Sequence, residues 1–238
     1  MNVYETDKIL AEYLLFHFAK PQEILPWKFG PREALDYPVR VVSHFSQNQV
    51  PRGLDVGCAV GRSTYEMSRS CQEVIGIDFS HAFVKAAEEI KEKTQTISRL
   101  EEAHQNTTLD VSLPEGVAPS HCQFEQGDAM NLRNDLGTFD RILAANLICR
   151  LTHPEKFLTR LTSLLNPGGE LVLATPCTWL DEFTPSENWP QGSTVEWLKT
   201  TLSENFQLLD EANEPFLIRE TARKFQWTVA LVTKWQKK

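Results

Sequence analysis

The chain is predicted to fold as α/β, with a doubly wound, mostly parallel sheet of seven strands and helices on both faces. Three observations carry that expectation. Short apolar runs alternate with amphipathic helical segments along the 238 residues, the pattern of repeated βαβ units. The run Arg52-Gly-Leu-Asp-Val56 opens straight into a glycine turn and a helix start, Gly57-Cys-Ala-Val-Gly-Arg-Ser63. About twenty residues on, Val74-Ile-Gly-Ile-Asp78 is a second short buried run ending in an acid.

In chain order, Tyr4 to Phe18 carries apolar residues at a helical period, closed by Pro21. Residues 21–38 (Pro26, Trp27, Phe29, Pro31, Tyr37) are too apolar for a flexible linker and are expected to form a lid over the ligand cleft. A helix from Pro38 to about Phe45 then leads into the first strand. Residues 1–50 are thus expected to form a helical cap on a core of residues 51–238, the whole being a single domain. After Asp78, Ser80 caps a helix expected to run through Glu88-Glu-Ile-Lys-Glu-Lys93 and as far as His104. Residues 105–121 look like a polar, loop-like insertion. Cys122–Glu125 and Phe139–Ala145 follow as strands, then the helix Pro154–Leu165 and the strand Glu170–Thr175. Phe206-Gln-Leu-Leu209 and Trp227–Trp235 complete the sheet.

Composition narrows the function. No run of about eighteen apolar residues exists, so no membrane span is expected. The first residues are not basic and precede no apolar leader. A net charge of −8 with scattered Lys and Arg disfavours nucleic acid, leaving a small molecule or a peptide as partner. Five cysteines without a C-x-x-C pair argue against disulfides and against a metal site, and for a reducing, cytoplasmic compartment.

The turn itself reads Asp55-x-Gly57-x-x-x-Gly61, with Ala59 in the middle place. A dinucleotide site needs G-x-G-x-x-G, and Asp55 would repel a pyrophosphate. An acid there suits a cationic ligand bearing an ammonium, such as S-adenosylmethionine. Gly57, Cys58, Ala59 and Gly61 form the cradle, with Cys58 as a small side chain and not a nucleophile. Asp78 suits ribose hydroxyls.

These motifs resemble those of class I methyltransferases. Gly127-Asp128-Ala129 is similar to their adenine-contacting acidic loop, and Asn166-Pro-Gly-Gly169 before Glu170-Leu-Val-Leu-Ala174 to their turn before strand five. The resemblance implies a Rossmann-like sheet with an antiparallel last strand, and S-adenosylmethionine as cofactor, released as S-adenosylhomocysteine. It places Asp128 and Ala129 at the adenine, with Phe79 and Met130 sandwiching the ring. Asn146, after strand four, is either a polar acceptor for the reacting amine or a structural cap.

Three further segments are more specific: Phe29-Gly-Pro-Arg-Glu-Ala-Leu-Asp-Tyr-Pro-Val-Arg40, Thr178-Trp-Leu-Asp-Glu-Phe-Thr-Pro-Ser-Glu-Asn-Trp189 and Phe216-Leu-Ile-Arg-Glu-Thr-Ala-Arg-Lys-Phe-Gln-Trp227. With Tyr4-Glu-Thr-Asp-Lys8 and Gly76-Ile-Asp-Phe-Ser-His-Ala-Phe83 they resemble the 4-mercaptohistidine N-methyltransferases of ovothiol biosynthesis, over nearly the whole chain except residues near 94–120. That resemblance implies methyl transfer to an imidazole ring nitrogen of 4-mercaptohistidine, giving ovothiol A. It also implies a separate sulfur-transferring enzyme upstream. In that family the methyltransferase is often the C-terminal domain of a longer protein, and nothing here resembles the iron-dependent front half. The other readings of the same motifs are methylation of another small thiol, amine or carboxylate, and a non-catalytic cofactor-binding module.

Such a transfer needs in-line placement at about 3–3.5 Å and exclusion of water. A ring thiolate makes a strong enzymic base unnecessary, although the ring tautomer must be selected. Arg219 and Arg223, four apart, would share a helix face, either as a fork for the substrate carboxylate or as a surface ion-pair helix. Glu220 is placed to hold the ammonium or orient the ring, and Asn188 to fix the tautomer. Trp179, Phe183 and Trp189 are pocket walls or ordinary core. Tyr4, Arg32 and Arg40 are candidates to close over the methionine end or reach the substrate carboxylate. His81 is expected at a helix start and His153 in a turn.

Overall fold

The structure, a computed structural model, describes residues 3–238, so Met1 and Asn2 of the expected cap lie outside it. Its strands are β1 (Val50–Val56), β2 (Cys71–Asp78), β3 (Gln95–Glu102), β4 (Gln105–Val111), β5 (Cys122–Gln126), β6 (Phe139–Ala145), β7 (Leu165–Thr175), β8 (Phe206–Arg219) and β9 (Phe225–Lys237). The helices are α1 (Asp7–Phe18), α2 (Pro21–Ile24), α3 (Tyr37–Val42), α4 (Arg62–Met67), α5 (His81–Glu92), α6 (Pro154–Leu164) and α7 (Thr194–Leu202). No helix among the described residues is long and apolar enough to cross a membrane.

Seven strands form one sheet in the order β5-β2-β1-β6-β7-β9-β8. The five from β5 to β7 are parallel, and β9 runs antiparallel to both its neighbours, as expected. Parallel strands are covered on both faces, so their runs are apolar on both. Leu143 and Val172 face α4 and α5, which bring Tyr65, Phe83 and Ile90. Leu54 and Ile142 face α6 and α7, with Phe157, Leu161 and Leu198. The chain leaves β1 toward β2 on one side and resumes at β6 on the other. The crevice at their carboxyl ends is therefore the switch point where ligands of open α/β sheets bind.

Above that crevice sits a cap of three chain-distant pieces. The last pairing of β7 with β9 is Thr175 with Leu231. Glu214–Arg219 and Phe225–Ala230 therefore project beyond the sheet as a two-stranded arm, about 20 Å at 3.3 Å per residue. The N-terminal segment wraps this arm. Phe216 packs on Phe16 and Tyr37, with ring centres 6.2 and 4.9 Å away, and the Trp27 indole donates to the Ala222 carbonyl at the arm's tip.

The third piece corrects the expected α5. That helix stops at Glu92, Lys93 is extended, and residues 95–111 form the β3–β4 hairpin instead of helix and polar loop. Thr94, Thr96, Ile97, Thr107, Thr108 and Val111 are β-branched residues that favour a pleated surface, and Ile97 and Val111 are its buried anchors.

Arg219 and Arg223 lie on no helix. Arg219 ends β8 and Arg223 sits in the turn to β9, because the apolar run before Arg219 pairs with Phe225–Trp227. Arg219 is buried, donates to the carbonyls of Glu23 and Ile24, and pairs with Glu101 of β3 at 2.5 Å. Glu101 also pairs with Arg99. This cluster fastens hairpin, arm and α2 together.

Breaking such a pair from one side strands a buried charge, whereas removing both charges is nearly neutral. Glu101→Ala should therefore cost about 3 kcal/mol in urea unfolding, and adding Arg219→Met should recover most of it. Equal instability of the single and double variants would show that the pair does not hold the cap.

Candidate active site

The glycine turn after β1 packs three left-handed residues into five: Gly57 (φ +78°), Ala59 (+48°) and Gly61 (+89°). Gly61 is needed twice over, since a Cβ there would also lie 2.7 Å from the Phe124 ring. Ala59 adopts a conformation that costs a non-glycine residue about 1 kcal/mol. It is held there by Asp78, whose Oδ2 accepts the Ala59 N–H at 2.9 Å while Oδ1 accepts that of Ser80, also at 2.9 Å. Gly57 and Cys58 both donate to the Ile77 carbonyl, binding the turn to the end of β2.

Asp55 does not line the cradle. It is 1% exposed and braces the turn from behind, its Oδ2 accepting from the Ser63 and Thr64 hydroxyls at 2.6 and 2.7 Å. Its Oδ1 is buried without a partner. Burial lifts its pKa from 3.8 to about 6, against the pull of those hydroxyls. Cys58 is buried and its thiol is pushed well up, as befits a small structural residue.

Asp78 ends β2, and burial raises its carboxyl too. Beside it the Phe79 ring is 61% exposed at the cleft. Asp128 accepts the Met130 N–H at 2.9 Å, capping the turn Ala129–Asn131. The Met130 sulfur in turn accepts from the His153 N–H, and His153 precedes α6 as a turn residue. The N-terminus straps across this side. Glu5 accepts the His81 and Ala82 N–H groups at the start of α5, the Ser80 hydroxyl donates to the Tyr4 carbonyl, and the Tyr4 ring meets Tyr13 and Phe83.

Across the crevice, Asn146 follows β6 with φ +56°, its N–H tied to the Ala174 carbonyl. Its Oδ1 accepts from the Tyr37 hydroxyl at 3.1 Å. Burial raises the Tyr37 phenol further above its ordinary range, so it stays protonated and donates. Leu147 packs against Gly57, joining this loop to the glycine turn. Arg150 lies beyond it, over the Phe183 ring at 4.7 Å.

Other expected substrate groups are engaged elsewhere. Arg40 pairs with Glu214, which His44 also meets, and this fixes α3 to β8. Arg32 donates to the Trp27 carbonyl. Glu220 is held by Lys224 and Gln226 in the arm's turn. Asn188 donates to the Thr152 carbonyl and meets His153, bracing the start of α6. Trp189 bonds the Thr184 carbonyl, and Trp179 bonds Thr194 and packs edge-on to Trp197. Residues 25–31 lie against the arm, where Arg223 sits over Trp27 beside an apolar cavity of about 360 Å³. They are not a lid on the glycine turn.

Sequence named Tyr37 only within the expected lid segment, and it did not single out Arg150 or the core residue His17. His17 closes α1, fully buried, its Nδ1 unpartnered, and burial lowers its pKa to about 3. Only Arg150 carried a usable signal, its place in the loop after the fourth parallel strand.

Fold and cleft together define a class I, S-adenosylmethionine-dependent methyltransferase. A methyltransferase-domain model matches residues 54–173 and a second matches residues 115–237. The chain belongs to the methyltransferase-domain family. It is similar to the tRNA U34 carboxymethyltransferase of Idiomarina loihiensis, 27% identical over 192 residues, 74% of this chain and 53% of that protein. Its counterpart in Pseudoalteromonas translucida is 26% identical over 76% of this chain and 53% of that protein. The chain thus spans about half the length of these curated relatives. Among solved structures, the N-methyltransferase NodS of Bradyrhizobium japonicum, in complex with S-adenosylhomocysteine, aligns with TM-score 0.56 and 17% identity over 96% of this chain and 98% of that one. A structure titled for conversion of a disulfide into a thioacetal during echinomycin biosynthesis aligns at 0.59 and 14%, over 97% and 90%. Both are likenesses of fold.

An acid whose folded pKa is raised makes the folded state the stronger proton binder between the two pKa values. The stability Asp55 contributes is thus present below about pH 4 and lost as pH rises through about 6. Asp55→Asn should remove a loss of about 3 kcal/mol across that window, seen as a smaller difference between urea curves at pH 4.5 and 7 than in the wild type. Identical pH dependence in both proteins would place the carboxylate in a wetter setting.

Proposed function

We propose that the chain methylates an imidazole ring nitrogen of 4-mercaptohistidine, yielding ovothiol A and S-adenosylhomocysteine. The observation that carries this reading is Asn146, turned into the switch-point crevice on a left-handed backbone and oriented by a neutral Tyr37. A hydrogen-bonding amide that orients the ring suits a nucleophile already electron-rich from its ring thiolate. The three loop segments that resemble the 4-mercaptohistidine N-methyltransferases supply the acceptor's identity.

The residues present fit the cofactor. Asp78, buried and raised at the end of β2, with Asp55 adding its charge from behind the turn, makes this side of the cleft anionic, suited to a ligand carrying a sulfonium and an ammonium. When bound, S-adenosylmethionine supplies an electrophilic methyl group. Gly57, Cys58, Ala59 and Gly61 allow the backbone close approach, Asp78 meets the ribose hydroxyls, Phe79 and Met130 flank the adenine, and Asp128 and Ala129 lie at its edge. Asn146 selects the ring tautomer that leaves a lone pair on the nitrogen. The cap of α1, the β3–β4 hairpin and the arm excludes water.

The likeness to tRNA carboxymethyltransferases favours a second reading, a nucleic-acid acceptor. A charge of −8 stands against it, as does the pairing of most arginines with carboxylates. With five unpaired cysteines we place the protein in the cytoplasm, as a single methyltransferase domain acting after a separate sulfur-transferring enzyme.

Incubation with S-adenosylmethionine should add one methyl to the ring of 4-mercaptohistidine, by mass and NMR, and none to histidine. Asp78→Ala should weaken S-adenosylhomocysteine binding tenfold or more by calorimetry. Transfer to tRNA instead, or to neither acceptor while cofactor binds, would overturn the assignment.

A further inference from the structure

An amino-acid acceptor carries a carboxylate into a cleft edged by Asp78, with Asp55 buried behind it, so it needs a cation to meet it. The four arginines that sequence nominated are unsuited to this, Arg32 because it is exposed and donates to the Trp27 carbonyl. Arg40 and Arg219 are neutralised by Glu214 and Glu101, and Arg223 sits against Trp27 beside the outer cavity. Arg150 differs. Among the described residues it pairs with no carboxylate, and it lies in the loop that begins at Asn146.

Arg150 is held from three directions. Its Nη1 donates to the carbonyls of Cys149 and Thr178, both at 3.1 Å, joining the loop after β6 to the loop after β7. Its guanidinium lies over the Phe183 ring. Its positive charge also lies near the Tyr4 phenol, which it favours in the ionised form against the effect of burial, on the strap that crosses Ser80 and the end of β2. The side chain therefore bridges the cofactor side of the crevice and the acceptor side. It is half-buried, where water screens a charge less than at an open surface. A guanidinium fixed in this way loses little freedom on binding a carboxylate, and its planar fork matches two oxygens.

We propose that Arg150 binds the carboxylate of the acceptor, so that the substrate class of this site is small carboxylates of the amino-acid type. This rests on the cleft being a small-molecule methyl-transfer site. Phe183 then acts as the plate that fixes the guanidinium.

Two measurements on the wild type, Arg150→Lys and Arg150→Met separate the possibilities. The first compares KM for 4-mercaptohistidine with that for its decarboxylated form, 4-mercaptohistamine. The second compares calorimetric binding of L-histidine and histamine to the enzyme saturated with S-adenosylhomocysteine. The wild type should favour the carboxylate-bearing member of each pair tenfold or more. Arg150→Met should erase that preference by weakening the carboxylate form about 10- to 100-fold. Arg150→Lys should fall between, and S-adenosylhomocysteine affinity should be unchanged in all three, which also reports correct folding. If Arg150→Met keeps the preference, or loses S-adenosylhomocysteine affinity while the preference survives, the proposal is wrong and Arg150 serves the scaffold or the cofactor. If 4-mercaptohistidine is not methylated but L-histidine still outbinds histamine in an Arg150-dependent way, the acceptor assignment fails and the carboxylate seat stands. Equal or absent binding of L-histidine and histamine by the wild type removes the seat.

Discussion

The carboxylate of Asp78 is the point on which the cleft is assembled. One oxygen takes the Ala59 N–H and the other that of Ser80, so one side chain fixes both the glycine turn and the start of α5. The turn would otherwise relax, because Ala59 is held in a left-handed conformation without being glycine. Asp55 supports the same turn from behind through Ser63 and Thr64. The nearby Asp78 carboxylate raises the pKa of Asp55 in addition to the effect of burial. Folding has thus built a site short of positive charge. A cationic ligand relieves that deficit, whereas a pyrophosphate would deepen it, and this electrostatic asymmetry separates the cleft from a dinucleotide site more sharply than the glycine spacing does.

A parallel sheet leaves its carboxyl edge open, so the cap must be assembled from elsewhere in the chain. The N-terminal helices, the β3–β4 hairpin and the β8–β9 arm meet at Arg219, which joins Glu101 to the carbonyls of Glu23 and Ile24. The Ala222 N–H bonds the Glu101 carbonyl as well, so hairpin and arm are linked by backbone and by charge. Phe16, Tyr37 and Phe216 fill the space beneath. Tyr37 belongs both to this packing and to the site, through its hydroxyl on Asn146. A loosened cap would therefore reach the acceptor side through Tyr37 before it disturbed the turn on β1.

The sheet was legible in the sequence because its strands are buried on both faces, and Phe139–Ala145 matches β6 residue for residue. Ser80 as a helix cap was legible from its place after an acid-terminated strand. The hairpin at residues 95–111 was not, since the helix formers before it run on without a glycine or proline to stop them. The spacing of Arg219 and Arg223 reads alike on a helix and across a strand end, and only pairing with Phe225–Trp227 decides it. Asp55 was found, but alternation along β1 could not say whether its carboxylate faces ligand or the hydroxyls of α4. Arg150 had only its place after the fourth parallel strand to mark it, because its partners Thr178 and Phe183 are remote in sequence.

Charge divides the cleft between its two ligands. The β1–β2 side holds Asp55 and Asp78, while the side after β6 offers the neutral pair Tyr37 and Asn146 with Arg150 beyond them. On the proposed reaction, a cationic donor and an anionic acceptor would thereby be sorted before any close contact is made. Methyl transfer would discharge a bound donor's sulfonium, so the attraction of the Asp78 side for the spent cofactor would weaken as the reaction completes. A base beside Asn146 would add another partly buried charge, for which the proposed acceptor, with an electron-rich ring nitrogen, would have no use. Neutral groups at the reacting nitrogen, with charge kept to the two ends, meet the demand for alignment and exclusion of water at the least desolvation cost.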